Sequence, residues 1–136
     1  VLVCTPGGDT APIVALKKDT GDVIWKASLP DLPAGGKRGY TTAGYSSVVA
    51  ADIHGTKTYV QFLSGGVVGV DAKTGKLLWH YEHPANGTAN CSTPIVKNNA
   101  VFAASAYGNG GGRADITKAG DGFTAKVDDL ATQLGR

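Results

Sequence analysis

One stretch of this chain occurs twice, and that repeat limits the fold more than any other feature of the 136 residues. Val14-Ala15-Leu16-Lys17-Lys18-Asp19-Thr20-Gly21-Asp22-Val23-Ile24-Trp25-Lys26 aligns with Val68-Gly69-Val70-Asp71-Ala72-Lys73-Thr74-Gly75-Lys76-Leu77-Leu78-Trp79-His80. The offset is roughly 54 residues, in the range of repeat architectures. Thr20-Gly21 coincides with Thr74-Gly75, and Trp25 with Trp79; an apolar pair precedes each Trp. Each copy predicts a hairpin: an apolar strand, a polar turn closed by glycine, and a second strand carrying the Trp. Glycine suits the left-handed backbone that closes such a turn. Along the second strand of the later copy, Leu77, Trp79 and Tyr81 share one face, and Leu78, His80 and Glu82 the other.

A second correspondence supplies the other half of the unit. Ser46-Ser47-Val48-Val49-Ala50 matches Ser92-Thr93-Pro94-Ile95-Val96, and each is followed by a polar turn, His54-Gly55-Thr56 or Asn98-Asn99. Each then runs into another strand, Thr58 to Leu63 or Ala100 to Ser105. Four strands in about 46–54 residues is the size of one blade of a β-propeller. The expected fold is therefore all-β, with blades of four antiparallel strands, about three of them from a larger ring. Composition agrees. The chain has 20 Gly and 6 Pro, roughly a fifth of its residues against about 12% on average. Glutamate occurs only as Glu82, and glutamine only as Gln61 and Gln133, so good helix formers are scarce.

The blades divide as follows. Residues 1–30 make an incomplete blade with strands at Val1–Cys4, Pro12–Leu16 and Val23–Ala27. Residues 43–84 make a complete one. Residues 91–128 make a degenerate one, whose hairpin (Ala114–Lys118, then Phe123–Val127 about Asp121-Gly122) lacks the Trp. The segment 30–42 joins the first two blades, and 129–136 is a tail read as a short helical turn. Closed propellers need at least four blades. The chain has no methionine and opens on Val1-Leu2-Val3 in apparent mid-strand. It is accordingly expected to be part of a larger propeller, or else to close a ring by self-association.

The residues Val68-Gly69-Val70-Asp71-Ala72-Lys73-Thr74-Gly75-Lys76-Leu77-Leu78-Trp79 resemble the pyrroloquinoline quinone (PQQ) repeat, roughly apolar-x-Asp-Ala-x-Thr-Gly-x-apolar-apolar-Trp. The first copy departs from it at Lys17-Lys18, and the third at the Trp. Such repeats occur in PQQ-dependent alcohol dehydrogenases, in an outer-membrane assembly lipoprotein and in many PQQ-like propellers. The resemblance implies that Trp25 and Trp79 dock between neighbouring blades, and that Thr20, Gly21, Asp71, Thr74 and Gly75 belong to the same structural motif. It also implies a periplasmic or secreted location; no signal peptide is present in the sequence. PQQ and calcium enter by resemblance alone. The adjacent cysteines of the dehydrogenases have no counterpart here, and neither an aspartate base nor a calcium set is recognisable.

The remaining chemistry is sparse. Thirteen basic and eleven acidic residues leave a charge of +2 with no basic stripe, so nucleic acid is not an expected partner. No apolar run approaches the roughly 20 residues of a membrane helix. Cys4 and Cys91 read either as one disulfide or as two buried thiols. His80 and Glu82 share a strand face while His83 points away or starts a loop, which leaves two metal ligands where zinc needs three or four. His54 sits in a turn and is expected in solvent. Gly36-Lys37-Arg38 is not a P-loop. Gly108 to Arg113 is not a dinucleotide fingerprint, and both runs read as blade loops. Gly44 to Val48 fails the nucleophile elbow at its last position. Asn86-Gly-Thr and Asn90-Cys-Ser are formal glycosylation sequons. No catalytic, cofactor or metal residue is assigned. The function read from the sequence is a non-catalytic scaffold that meets a protein partner or further blades. The alternatives are a fragment of a quinoprotein alcohol dehydrogenase and a periplasmic glycan- or peptide-binding module.

Overall fold

The computed structural model describes residues 1–8, 11–27, 29 and 42–128, which form strands and turns and, among themselves, no helix. The linker expected from residue 30 lies outside them up to residue 41, as do the Gly36-Lys37-Arg38 run and the 129–136 tail. The first sheet holds β1 (Leu2–Cys4), β2 (Ile13–Leu16) and β3 (Val23–Ala27). The second holds β4 (Val49–Ile53), β5 (Thr56–Leu63), β6 (Gly66–Asp71) and β7 (Leu77–Tyr81). The third holds β8 (Ile95–Lys97), β9 (Ala100–Ser105), β10 (Gly110–Ala119) and β11 (Gly122–Asp128). Strands pair in chain order and antiparallel, so each sheet is a meander of the size and connectivity of a propeller blade.

The repeat extends to the backbone. β2 and β3 slip register between Ala15 and Leu16, and β6 and β7 slip at the equivalent place, between Gly69 and Val70. Each slip is a bulge, which bends and twists the outer strand of its sheet. β10 and β11 instead pair without a break from Arg113↔Asp128 to Ala119↔Gly122, around a two-residue Gly120-Asp121 turn.

Among the strand starts that differ from the sequence expectation, two have a clear local reason. β4 begins at Val49 rather than Ser46, because both serines are engaged in loop bonds. Ser46 Oγ donates to the Phe62 carbonyl at 3.1 Å, and the Ser47 amide donates to Thr93 Oγ1 at 3.4 Å. β10 begins at Gly110, so three glycines expected in a loop are in a strand, opposite Ser105, Ala104 and Ala103. Gly108 and Asn109 remain in the turn.

The second sheet is covered on both faces, and every residue from Thr58 to Val70 is buried. One face, with Tyr59, Leu63, Val68 and Val70, packs on Ile13, Ala15, Trp25 and Ala27 of the first sheet. The other, with Val60, Phe62, Val67, Trp79 and Tyr81, packs on Val101, Ala103, Ala114 and Ile116 of the third. Burial on both faces explains why β6 reads as a near-continuous apolar run without polar alternation.

Trp79 is 3% exposed and lies against Gly69, its cross-strand partner; a Cβ on Gly69 would fall 2.2 Å from the indole. Gly69→Ala should therefore destabilise the protein by about 1–3 kcal/mol through overpacking. Trp79→Ala should cost about 3–5 kcal/mol through the cavity it leaves. Denaturant unfolding of the two variants measures both. A near-neutral Trp79→Ala would show that the ring does not hold the sheets together.

Candidate functional site

Among the described residues the polar and reactive side chains gather at two inter-sheet seams, a loop face and one open cleft. At the first seam Trp25, on β3, reaches across to the turn between β6 and β7. Its indole Nε1 donates to the Ala72 carbonyl at 3.1 Å, and its ring lies on Gly75, where a Cβ would come within 2.4 Å. Gly75 has φ of 74°, the left-handed region in which glycine is unstrained. The turn that receives the ring is held by Asp71, whose Oδ1 accepts the amides of Lys73 at 2.7 Å and Thr74 at 3.1 Å. Thr74 Oγ1 accepts the Lys76 amide at 3.2 Å. In the earlier copy Lys17 stands where Asp71 does. That turn is held instead by Thr20, whose Oγ1 donates to Asp22 Oδ2 at 2.8 Å, with Gly21 at φ of 78°.

The second seam is built differently. The two-residue turn of the third sheet offers no equivalent of the Ala72 carbonyl, and Trp79 Nε1 is buried without a hydrogen-bond partner. Polar bonds take its place. The Tyr81 hydroxyl lies 3.2 Å from the Val101 carbonyl and 3.4 Å from that of Gly112. Burial raises the Tyr81 pKa, which keeps this phenol a donor. The His54 amide donates to Asn99 Oδ1 at 2.8 Å, and its ring Nε2 meets the Ile116 carbonyl, which places the proton on that nitrogen. The His54 ring also lies 6.4 Å from that of Phe123. His54 is thus at the surface but latched to the third sheet, not simply solvated.

The loop face carries the residues that sequence reading missed. Asn86 and Asn90 are 7% and 2% exposed, and both side chains are saturated. Asn86 Oδ1 accepts the amides of Thr88 and Ala89, each at 2.7 Å. Asn90 Oδ1 accepts the Asn86 amide at 3.0 Å, and its Nδ2 lies 3.2 Å from the Leu63 carbonyl and 3.0 Å from that of Ser64. Ser105 Oγ and Asn109 Nδ2 donate to the carbonyls of Pro84 and Ala85. The sequons are therefore closed to glycosylation by burial, and their amides fasten the connection from β7 to β8 onto its neighbours. A small polar cavity of about 40 Å³ lies among Thr42, Ser64, Asn86 and Asn90, with Tyr45 at its lip. Tyr45 and Tyr107 are each 70% exposed, and Tyr107 is held at φ of 61°, a conformation few non-glycine residues adopt.

Between β7 and β11 an open cleft of about 560 Å³ is lined by His80, Glu82, His83, Ala85, Ala125 and Val127. His83 starts the turn after β7, as one of the two readings had it, and lines this cleft with His80 and Glu82 instead of pointing away; its ring rests on the bare backbone of Gly112. Among the described residues no three His, Cys, Asp or Glu side chains converge as metal ligands. Cys4 and Cys91 are free thiols; Cys4 is half-buried and Cys91 exposed, so the buried-thiol reading does not extend to Cys91.

Comparison with known sequences yields one finding. The profile of the PQQ_2 family, described as outer membrane protein assembly factor BamB, matches residues 36–128, about two thirds of the chain. No curated protein matches.

Two measurements test this geometry. Asn90→Ala leaves the Leu63 and Ser64 carbonyls and the Asn86 amide without their partner, and should cost about 1–3 kcal/mol in equilibrium unfolding. His80 has its pKa lowered by burial, with Glu82 opposing the shift. The unfolded chain then binds the proton more tightly, so His80's contribution is complete above the ordinary histidine value of 6.5 and is lost as pH falls below it. Stability should decline from pH 7.5 to 5.5, and His80→Gln should flatten that slope.

Proposed function

The chain belongs to the PQQ_2 family, and on that premise we propose that it is a non-catalytic propeller scaffold whose loop face binds a partner protein. In this reading residues 1–30, 43–84 and 91–128 act as successive blades of a larger ring. The family description names an outer membrane protein assembly factor, which supports a place in the cell envelope and a role in handling other proteins. Among the described residues no helix is long and apolar enough to cross a membrane.

One observation carries the proposal. The buried amides of Asn86 and Asn90 fasten the connection between the second and third sheets, and beside it stand two exposed tyrosines, one on a strained turn. A rigid loop face with exposed aromatic rings is what protein recognition uses. Tyrosine supplies contact area at little cost in side-chain entropy. Strain at an exposed turn that is pinned by Asn109 Nδ2 on the Ala85 carbonyl points the same way.

A quinone with calcium would require clustered oxygen donors and, by analogy with quinoprotein dehydrogenases, an aspartate base. The described residues do not fit that group. Asp71 spends its Oδ1 on the amides of its own turn, and no acidic or histidine set converges. No chemical step is assigned through it.

Purified protein titrated with PQQ and calcium should show no bound-quinone absorbance and no dye-linked alcohol oxidation; saturable binding with turnover would replace the scaffold reading with the dehydrogenase one. A photo-crosslinking residue at position 45 or 107 should capture an envelope protein, whereas one at Ile24 should not. Capture from Ile24 alone would move the binding surface off the loop face.

A further inference from the structure

The two seams of this chain differ in kind, and the difference assigns them different mechanical roles. Between the first and second sheets a single hydrogen bond crosses among the described residues, from Trp25 Nε1 to the Ala72 carbonyl. The rest of that seam is apolar contact. Between the second and third sheets more bonds cross. Tyr81 reaches Val101 and Gly112, and His54 reaches both Asn99 and Ile116. The connection from β7 to β8 is itself tied to the second sheet by Asn90 at Leu63 and Ser64, and to the third by Ser105 and Asn109.

A second observation concerns the first seam alone. Gln61 is 0% exposed and lies on the strand face between Tyr59 and Leu63, which packs on the first sheet. Its Nε2 donates to the Ser46 carbonyl at 3.1 Å, but its Oε1 has no partner. A buried acceptor left unsatisfied disfavours the closed state, because separation of the sheets restores its hydration. The second seam has an orphan of its own, Trp79 Nε1. There the crossing bonds outweigh it; at the first seam one bond faces one orphan.

We propose that the first sheet is a separately opening leaf, latched by Trp25, while the second and third sheets move as one cooperative unit. Opening would expose the apolar face of Tyr59, Leu63, Val68 and Val70 together with the Gln61 amide. This proposal does not depend on the scaffold reading.

Native-state hydrogen exchange on the whole chain tests it. Amides of β2 and β3 should exchange through an opening of lower free energy than those of β5, β6, β9 and β10, which should share one value. Trp25→Phe keeps the ring but removes its donor, and should speed exchange in the first sheet by about five- to tenfold while leaving the other two unchanged. Tyr81→Phe should instead affect the second and third sheets together. Equal protection in all three sheets of the unaltered protein would overturn the proposal, as would a Trp25→Phe effect spread evenly over them.

Discussion

Flat rings resting on bare backbone are the interaction on which the rest of this structure depends. Trp79 lies on Gly69, Trp25 on Gly75, Phe102 on Gly111 and His83 on Gly112, and in each case a Cβ would come within 2.8 Å of the ring. Two of these contacts lie within a sheet, where the ring covers a glycine that offers no side chain to its neighbours. The other two, Trp25 on Gly75 and His83 on Gly112, join a strand of one sheet to a turn beside the next. Glycine in this chain thus serves as a seat for aromatic rings as well as a hinge for turns.

That same contact explains why the two seams need different chemistry. Where the receiving hairpin has a long turn, as from Asp71 to Lys76, an indole both finds its seat and donates to a carbonyl. Where the hairpin closes in two residues, the indole of Trp79 rests instead on Gly69 of its own sheet, and its N–H is stranded. A phenol, an imidazole and several amides then do the joining. Those side chains cluster at the turns and connections, so reinforcement of the second seam also stiffens the loop face. The link from hairpin length to a rigid presenting surface is one of hydrogen-bond supply.

Much of the architecture was legible in the sequence, and the reasons are local. β3 and β9 stand at the limits read from the chain, because strand periodicity and Thr-Gly or Asn-Asn turns are short-range signals. The all-β class and the four-strand unit followed from the same signals. What escaped was decided by distant partners. Gly110 to Gly112 looked like a loop because nothing nearby announces that Phe102 and His83 will cover two of them. That His83 starts a loop was legible from Pro84 beside it, whereas its seat on Gly112 was not. Asn86 and Asn90 carried only the signal of a sequon. An asparagine followed at short distance by another, in a connection between sheets, would have been the hint that an amide hub was forming.

The paired bulges have a consequence for how such a chain varies. Ala15 and Gly69 differ, as do Leu16 and Val70, yet the backbone slips at the same place in both copies. Shape has outlasted spelling. The third copy lacks the slip, the long turn and the Trp together, and an independent set of polar bonds secures its junction. A redundant fastening of that kind releases its hairpin from the requirement to match its sisters. It leaves one segment of a duplicated array free to drift toward a new surface while the array itself stays folded.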